Sequence, residues 1–281
     1  RTTGEPVSGL ASLIIRSEIF TPPGPGDFNL PPVGPGDKWE FLGQPMFWGA
    51  TKPMLLALLS LVVVLVFFRA ATAKRAMVPG KLQFLGETSY NFVRNTLGRD
   101  VIGSHDFMRF VPLLCSFFFF IVVNNYFGVI PMLQFPTMSR IGYPMGLAII
   151  AWLVYNGAGI QKHGFFGYLK LQTVPSGVPA AMLVLLIPLE FLSNIIVRPI
   201  TLMLRLFANL FAGHLLLLLF ALGGEFLLLH GTGLIAKPGG VVAIVMFFLI
   251  SGLELLVYFL QAFVFTILTA LYISSAVADE H

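Results

Sequence analysis

Between Ile200 and Phe220 the sequence reads ITLMLRLFANLFAGHLLLLLF, an apolar run interrupted by Arg205, Asn209 and His214. A second apolar run, Gly239–Val277, carries Glu254 and Gln261, and Glu190 and Arg198 stand upstream of Arg205. These residue types can move or block protons. Imidazole titrates near neutral pH and a nearby carboxylate shifts it, so His214 and Glu254 form a proton-handling pair if the fold brings them together. Arg205 is a different kind of group, because a guanidinium does not deprotonate in proteins and cannot relay a proton. It can block one, or attract a carboxylate and force it to ionise. A charged side chain at mid-bilayer costs about 2.5–3.5 kcal/mol. Several together must face water or each other, either as an ion-pair network that only fixes packing or as a polar path for ions at membrane depth.

The membrane setting follows from composition. The 281 residues are 57% hydrophobic and 11% charged, with a mean hydropathy of +0.87, whereas globular domains are about a quarter charged. The net charge of +4 is spread along the chain and forms no basic groove, so it reads as topology information and not as a nucleic-acid footprint. The single cysteine, Cys115, excludes an intrachain disulfide. No metal, redox or cofactor motif is expected, and no HExxH occurs. The chain begins at Arg1, so its start is taken as missing or processed.

The expected fold class is an all-α integral membrane protein. It has about three conventional transmembrane helices, one interfacial amphipathic helix and a hairpin of two long, strongly tilted membrane helices. Residues 1–45 form a Pro/Gly-rich extracytoplasmic segment in which PP-(x)-GPGD occurs twice, at Pro22–Asp27 and Pro31–Asp37, a density that excludes helix. Residues 46–281 form the membrane domain. A span needs about 20 apolar residues, which places spans at 48–69, 110–133 and 141–161. Between the first two, at 82–98, Leu82, Leu85, Phe92, Val93 and Leu97 make one helical stripe and predict a surface-lying helix. Arg69, Lys74, Arg75 and Lys81 follow the first span, and Lys162 and Lys170 follow the third. The positive-inside rule then puts the N-terminus outside and the C-terminus in the cytoplasm.

The last two regions, 178–222 and 239–277, are too long for ordinary spans. A 45-residue helix measures about 68 Å, twice what a span needs. Pro188 and Pro199 bend the first region, and neither region has a central loop. Tilted, bent helices are therefore expected, joined by the turn residues Gly231, Thr232 and Gly233. In an antiparallel hairpin, Arg205 pairs in depth with Gln261, and His214 with Glu254. Both pairs are centred on residues 233–234. Gln261 is neutral, so the carboxylate that Arg205 calls for belongs to another protein.

The stretches RPITLMLRLFANLFAGH and SGLELLVYFLQAFVFTILTALY resemble the two signature helices of subunit a of F-type ATP synthases. NNYFGVIP and VPSGVP resemble further landmarks of that family, over residues 45–281. The resemblance implies a stator subunit beside a rotating c-ring whose subunits each carry one membrane-embedded carboxylate. It further implies two offset half-channels, with c-ring and peripheral-stalk subunits and lipid as partners, and no catalysis by this chain itself. Arg205 matches the arginine that separates the half-channels. Asn209 and Gln261 match polar positions beside it. His214 and Glu254 match the pair lining the outer half-channel, in one of two common arrangements, and Asn125 could line the same channel. Glu190 resembles the acid of the inner half-channel, but it lies fifteen residues before Arg205 where many relatives have fourteen. One residue turns a helix by about 100°, and a local bulge near Pro199 would restore the direction. Arg198 is expected to pair with Glu190 or meet lipid headgroups. VRP and the ADEH tail look actinobacterial, which favours a bacterial plasma membrane over a mitochondrial inner membrane.

Three other classes compete. An independent channel or transporter would need an internal repeat or a self-contained pore, and no repeat is found. An intramembrane enzyme would need a motif that is absent. A structural anchor leaves the cost of the buried charges unexplained.

Overall fold

The computed structural model describes residues 20, 22–24, 40–41, 44–45, 52–73, 80–104, 106–130, 133, 135–174, 180–231 and 236–278. Most of the Pro/Gly repeat, the basic pair Lys74 and Arg75, most of VPSGVP, Pro131, the Thr232-Gly233 turn and the last three residues lie outside them. A two-residue antiparallel pair, β1 (Glu40–Phe41) with β2 (Gln44–Pro45), sets Glu40 opposite Pro45. The rest of the described chain is essentially helical, and five of its helices are long and apolar enough to cross a membrane. The chain is an all-α integral membrane protein.

The first span, α1 (Lys52–Ala73), runs four residues beyond the expected end at 69. It is followed by α2 (Lys81–Phe92), a π-helical turn Val93–Arg99 and the short α3 (Asp100–Ile102). The stripe expected on one face of 82–98 divides at that π-turn. Val93 and Leu97 are fully buried, whereas Leu82 and Leu85 are exposed. Gly86 lets α2 approach α1 closely, since a Cβ there would lie 2.6 Å from the Ala71 Cβ.

Helix α4 (Phe107–Tyr126) is the second span. It stops seven residues short of the expected 133, where Gly128 follows and its Cβ position is crowded by the Tyr258 hydroxyl at 3.0 Å. The third span, α5 (Gly142–Thr173), contains a reversal at Gly164, whose φ of 72° is open to glycine and strained for other residues. The span proper thus ends close to the expected 161. The following segment returns along it, because the Tyr168 ring lies against Gly159 and its hydroxyl donates to Asn156 Oδ1 at 2.9 Å.

The long fourth region is α6 (Ala180–Phe191), a π-turn Leu192–Val197 and α7 (Arg198–Leu229), with no loop between them. The fifth is α8 (Ala236–Val277), an unbroken helix of 42 residues. At 1.5 Å per residue α8 is about 63 Å long. A bilayer core is about 30 Å thick, so a helix of this length and apolar composition fits only by leaning.

The chain divides into two compact units. One comprises residues 1–30 and Ala212–Glu254. Within it the ends of α7 and α8 pack antiparallel. A Cβ on Gly224 would meet Ile244 at 3.0 Å, and one on Gly240 would meet Leu228 at 2.7 Å. Both pairs are centred on residue 234, the register expected from the sequence, and Phe20 adds a ring contact to Phe226 at 5.4 Å. The other unit comprises Pro31–Phe211 and Leu255–His281. Its core gathers Leu114, Phe117, Phe118 and Ile121 of α4 with Leu202, Leu206 and Leu210 of α7 and Tyr258, Ala262 and Phe265 of α8. The buried Asn124 amide donates to Ser60 Oγ at 2.6 Å, the kind of polar pair that joins helices where no water competes.

Candidate functional site

Leu202, Leu206 and Leu210 recur every four residues and are at most 2% exposed, which turns that stripe of α7 into the core. Helical geometry then sends Thr201, Arg205, Ala208 and Asn209 to another face, and all four are exposed. Arg205 makes no hydrogen bond or ion pair with any described residue, and neither does Asn209. Gln261 faces inward on α8, 6% exposed, among Tyr258, Ala262 and Phe265. It is not hydrogen-bonded to Arg205. The structure therefore presents Arg205 and Asn209 outward and Gln261 inward.

His214 and Glu254 are both buried, at 9% and 3% exposure. The register expected from the sequence holds here: a Cβ on Gly213 would lie 2.6 Å from Glu254 Oε1. Glu254 therefore sits at the level of Gly213 and His214, with its carboxylate in the space that a Cβ at 213 would enter. That role of Gly213 was missed from the sequence. The signal was the glycine directly before His214, and helical periodicity gives no reason to single it out.

Glu190 is half-buried and accepts a hydrogen bond from Asn194 Nδ2 at 3.0 Å. The same amide donates to the Gln172 carbonyl at 2.8 Å. Asn194 was also missed, although the four-residue spacing from Glu190 places two such side chains on one helical face. Between Glu190 and Arg205 lies the π-turn Leu192–Val197. A π-turn takes up one extra residue, so fifteen residues here cover the angle that fourteen cover in a regular helix. The bulge expected near Pro199 is present and ends two residues before it.

Arg198 does not pair with Glu190. It donates to Ser275 Oγ at 3.3 Å and its guanidinium lies 5.2 Å from the centre of the Tyr272 ring. Asn125 is fully buried and donates from Nδ2 to the Tyr258 carbonyl at 3.1 Å, while Tyr126 donates to the Leu255 carbonyl at 3.3 Å. These bonds tie the end of α4 to α8. The Oδ1 of Asn125 is buried without a partner. Among the described residues no cluster of His, Cys, Asp and Glu could hold a metal ion.

One unit carries an outward-facing permanent cation and a carboxylate held by an amide beside a helical bulge, and the other carries a buried imidazole and carboxylate at one level. Groups of these types can transfer protons and stabilise charge. The family model of the ATP synthase A chain matches residues 54–274. Similar proteins named ATP synthase subunit a include one from Nocardioides sp., 61% identical over 96% of this chain and 99% of its own. One from Pseudarthrobacter chlorophenolicus is 47% identical over 93% and 95%. One from Streptomyces lividans is 42% identical over 86% and 87%. With the two long helices, the outward arginine and a match over most of its length, the chain belongs to the ATP synthase A chain family.

Proposed function

We propose that this chain is the proton-conducting stator subunit of an actinobacterial ATP synthase, with two offset half-channels that meet at a ring of c subunits. The observation that carries this reading is the position of Arg205. It stands exposed on a membrane helix with no counter-charge among the described residues. A bare guanidinium in lipid is costly, so the reading supplies a carboxylate from a neighbouring chain. Each ring carboxylate that arrives ionises against Arg205 and is protonated again after leaving it. Because arginine never yields its proton, the two half-channels stay separate.

In this reading His214 and Glu254 serve the outer half-channel, and Glu190 serves the inner one. Asn209 shares the ring-facing side with Arg205, and Gln261 supports that face from behind. Asn125 takes a lesser part, since its amide nitrogen is engaged in joining α4 to α8. Arg69, Lys81, Lys162 and Lys170 mark the cytoplasmic side, with the N-terminus outside. Nucleotide chemistry lies on other subunits, and peripheral-stalk subunits hold this one against the turning ring. Each elementary charge crossing 100 mV contributes about 2.3 kcal/mol, so rotation must sum several crossings for each ATP.

The test uses inside-out vesicles holding the assembled complex, with Arg205→Ala compared with the parent. ATP-driven acidification is expected to disappear while assembly stays normal, and passive proton leak is expected to rise. Undiminished pumping would reject the mechanism and leave Arg205 as a packing residue.

A further inference from the structure

The bulge between Glu190 and Arg205 has an identifiable chemical cause. In a regular helix the N–H of residue 199 would bond to the carbonyl of Ile195, but residue 199 is proline and has no N–H. The Ile195 carbonyl therefore lacks that i+4 donor inside a membrane helix, where an unmet polar group is costly. The structure satisfies it from another element: Trp152 Nε1 of α5 donates to Ile195 O at 2.8 Å. One residue earlier in the bulge, Asn194 Nδ2 donates both to the Gln172 carbonyl at 2.8 Å and to Glu190 Oε2 at 3.0 Å. The backbone N–H of Arg198 bonds to Ser193 O, the five-residue step of a π-turn. Two side-chain donors therefore pin the bulge to α5, and one of them also holds the carboxylate.

We infer that Trp152 and Asn194 are positioning residues for Glu190, acting as a lock that keeps the π-turn between residues 192 and 197. A bulge in a helix can migrate or anneal, and either would turn Glu190 by about 100° relative to Arg205. Trp152 stabilises the bulge where it is by supplying the donor that Pro199 lacks. Asn194 ties the same turn to the Gln172 carbonyl and aims the Glu190 carboxylate. This rests on the reading of Glu190 as the acid of the inner half-channel.

The experiment measures access to position 190 in the assembled complex. In a Cys115→Ala background, Glu190→Cys is treated in inside-out vesicles with a membrane-impermeant methanethiosulfonate, alone and together with Trp152→Phe. Phenylalanine keeps the aromatic bulk and removes the N–H. The expected result is labelling of Glu190→Cys that slows about tenfold with Trp152→Phe, the ratio that loss of one buried hydrogen bond produces. Failure of Glu190→Cys to react in the otherwise intact chain would overturn the inner half-channel reading. Reaction at the same rate with and without Trp152→Phe would overturn the lock alone. Deletion of Ser193 provides a second background, since it removes the extra residue and with it the need for a bulge. Trp152→Phe should then leave labelling unchanged, and an equal tenfold slowing in that background would show that Trp152 acts by packing and not on the bulge.

Discussion

At Arg205 the helix places a guanidinium on a face shared with Thr201, Ala208 and Asn209, while every fourth leucine turns to the core. In the proposed assembly a neighbouring chain completes that face and supplies the counter-charge. Gly213 has the opposite relation to its surroundings. Its missing side chain gives Glu254 Oε1 a place 2.6 Å from where a Cβ would stand. Gly213→Ala is expected to displace the flexible carboxylate from its level beside His214 without unfolding the helix, because alanine favours helix. ATP-driven pumping in vesicles should fall severalfold, with normal assembly. Pumping equal to the parent would show that the carboxylate does not need that position.

Among the elements, α1 and α2 meet through Gly86, whose Cβ position is 2.6 Å from Ala71 Cβ. The Ala71 Cβ is fixed to its own backbone and has no rotamer to adopt, so a larger residue at 86 must push the helices apart. Gly86→Leu should destabilise the chain by about 1–3 kcal/mol, measured as a lower midpoint for unfolding in detergent. An unchanged midpoint would mean that α2 packs elsewhere. The Asn124–Ser60 bond ties α4 to α1 in the same unit. Ser60→Ala should cost about 0.6–1.7 kcal/mol by the same measurement, the range found for hydrogen bonds between membrane helices. Helices α1 and α2 thus form a mechanical frame, and no sequence feature there points to proton chemistry.

For the molecule as a whole, the uneven burial of the five spans is informative. The most apolar window of α4 is 44% buried within the chain, and those of the two long regions are 11% buried. Helix α4 is therefore a packing centre, whereas the most apolar stretches of the long helices are left largely uncovered by this chain. A photoreactive probe attached at Ala208→Cys, on the Arg205 face, should capture a ring subunit in the native membrane. The same probe at Leu206→Cys, which is buried against α4 and α8, should not. Equal capture at both positions, or none at Ala208→Cys, would place the ring elsewhere.

Composition, charge spacing and apolar run length were enough to establish the membrane class, the number of spans and the hairpin register, because each depends on local chemistry and on counting along a helix. The common level of His214 and Glu254 belongs to this group, since it follows from counting along an antiparallel hairpin. Other features depended on contacts between residues far apart in the chain. Glycines do not advertise their packing role, so Gly213 and Gly86 acquired meaning only beside Glu254 and Ala71. The division of the 82–98 stripe and the reversal at Gly164 arise from a π-turn and a positive φ that periodicity does not encode. The one-residue offset of Glu190 could be read from the sequence. The π-turn that absorbs it is visible only in the structure, where the Trp152 N–H, 43 residues away in the chain, meets the Ile195 carbonyl.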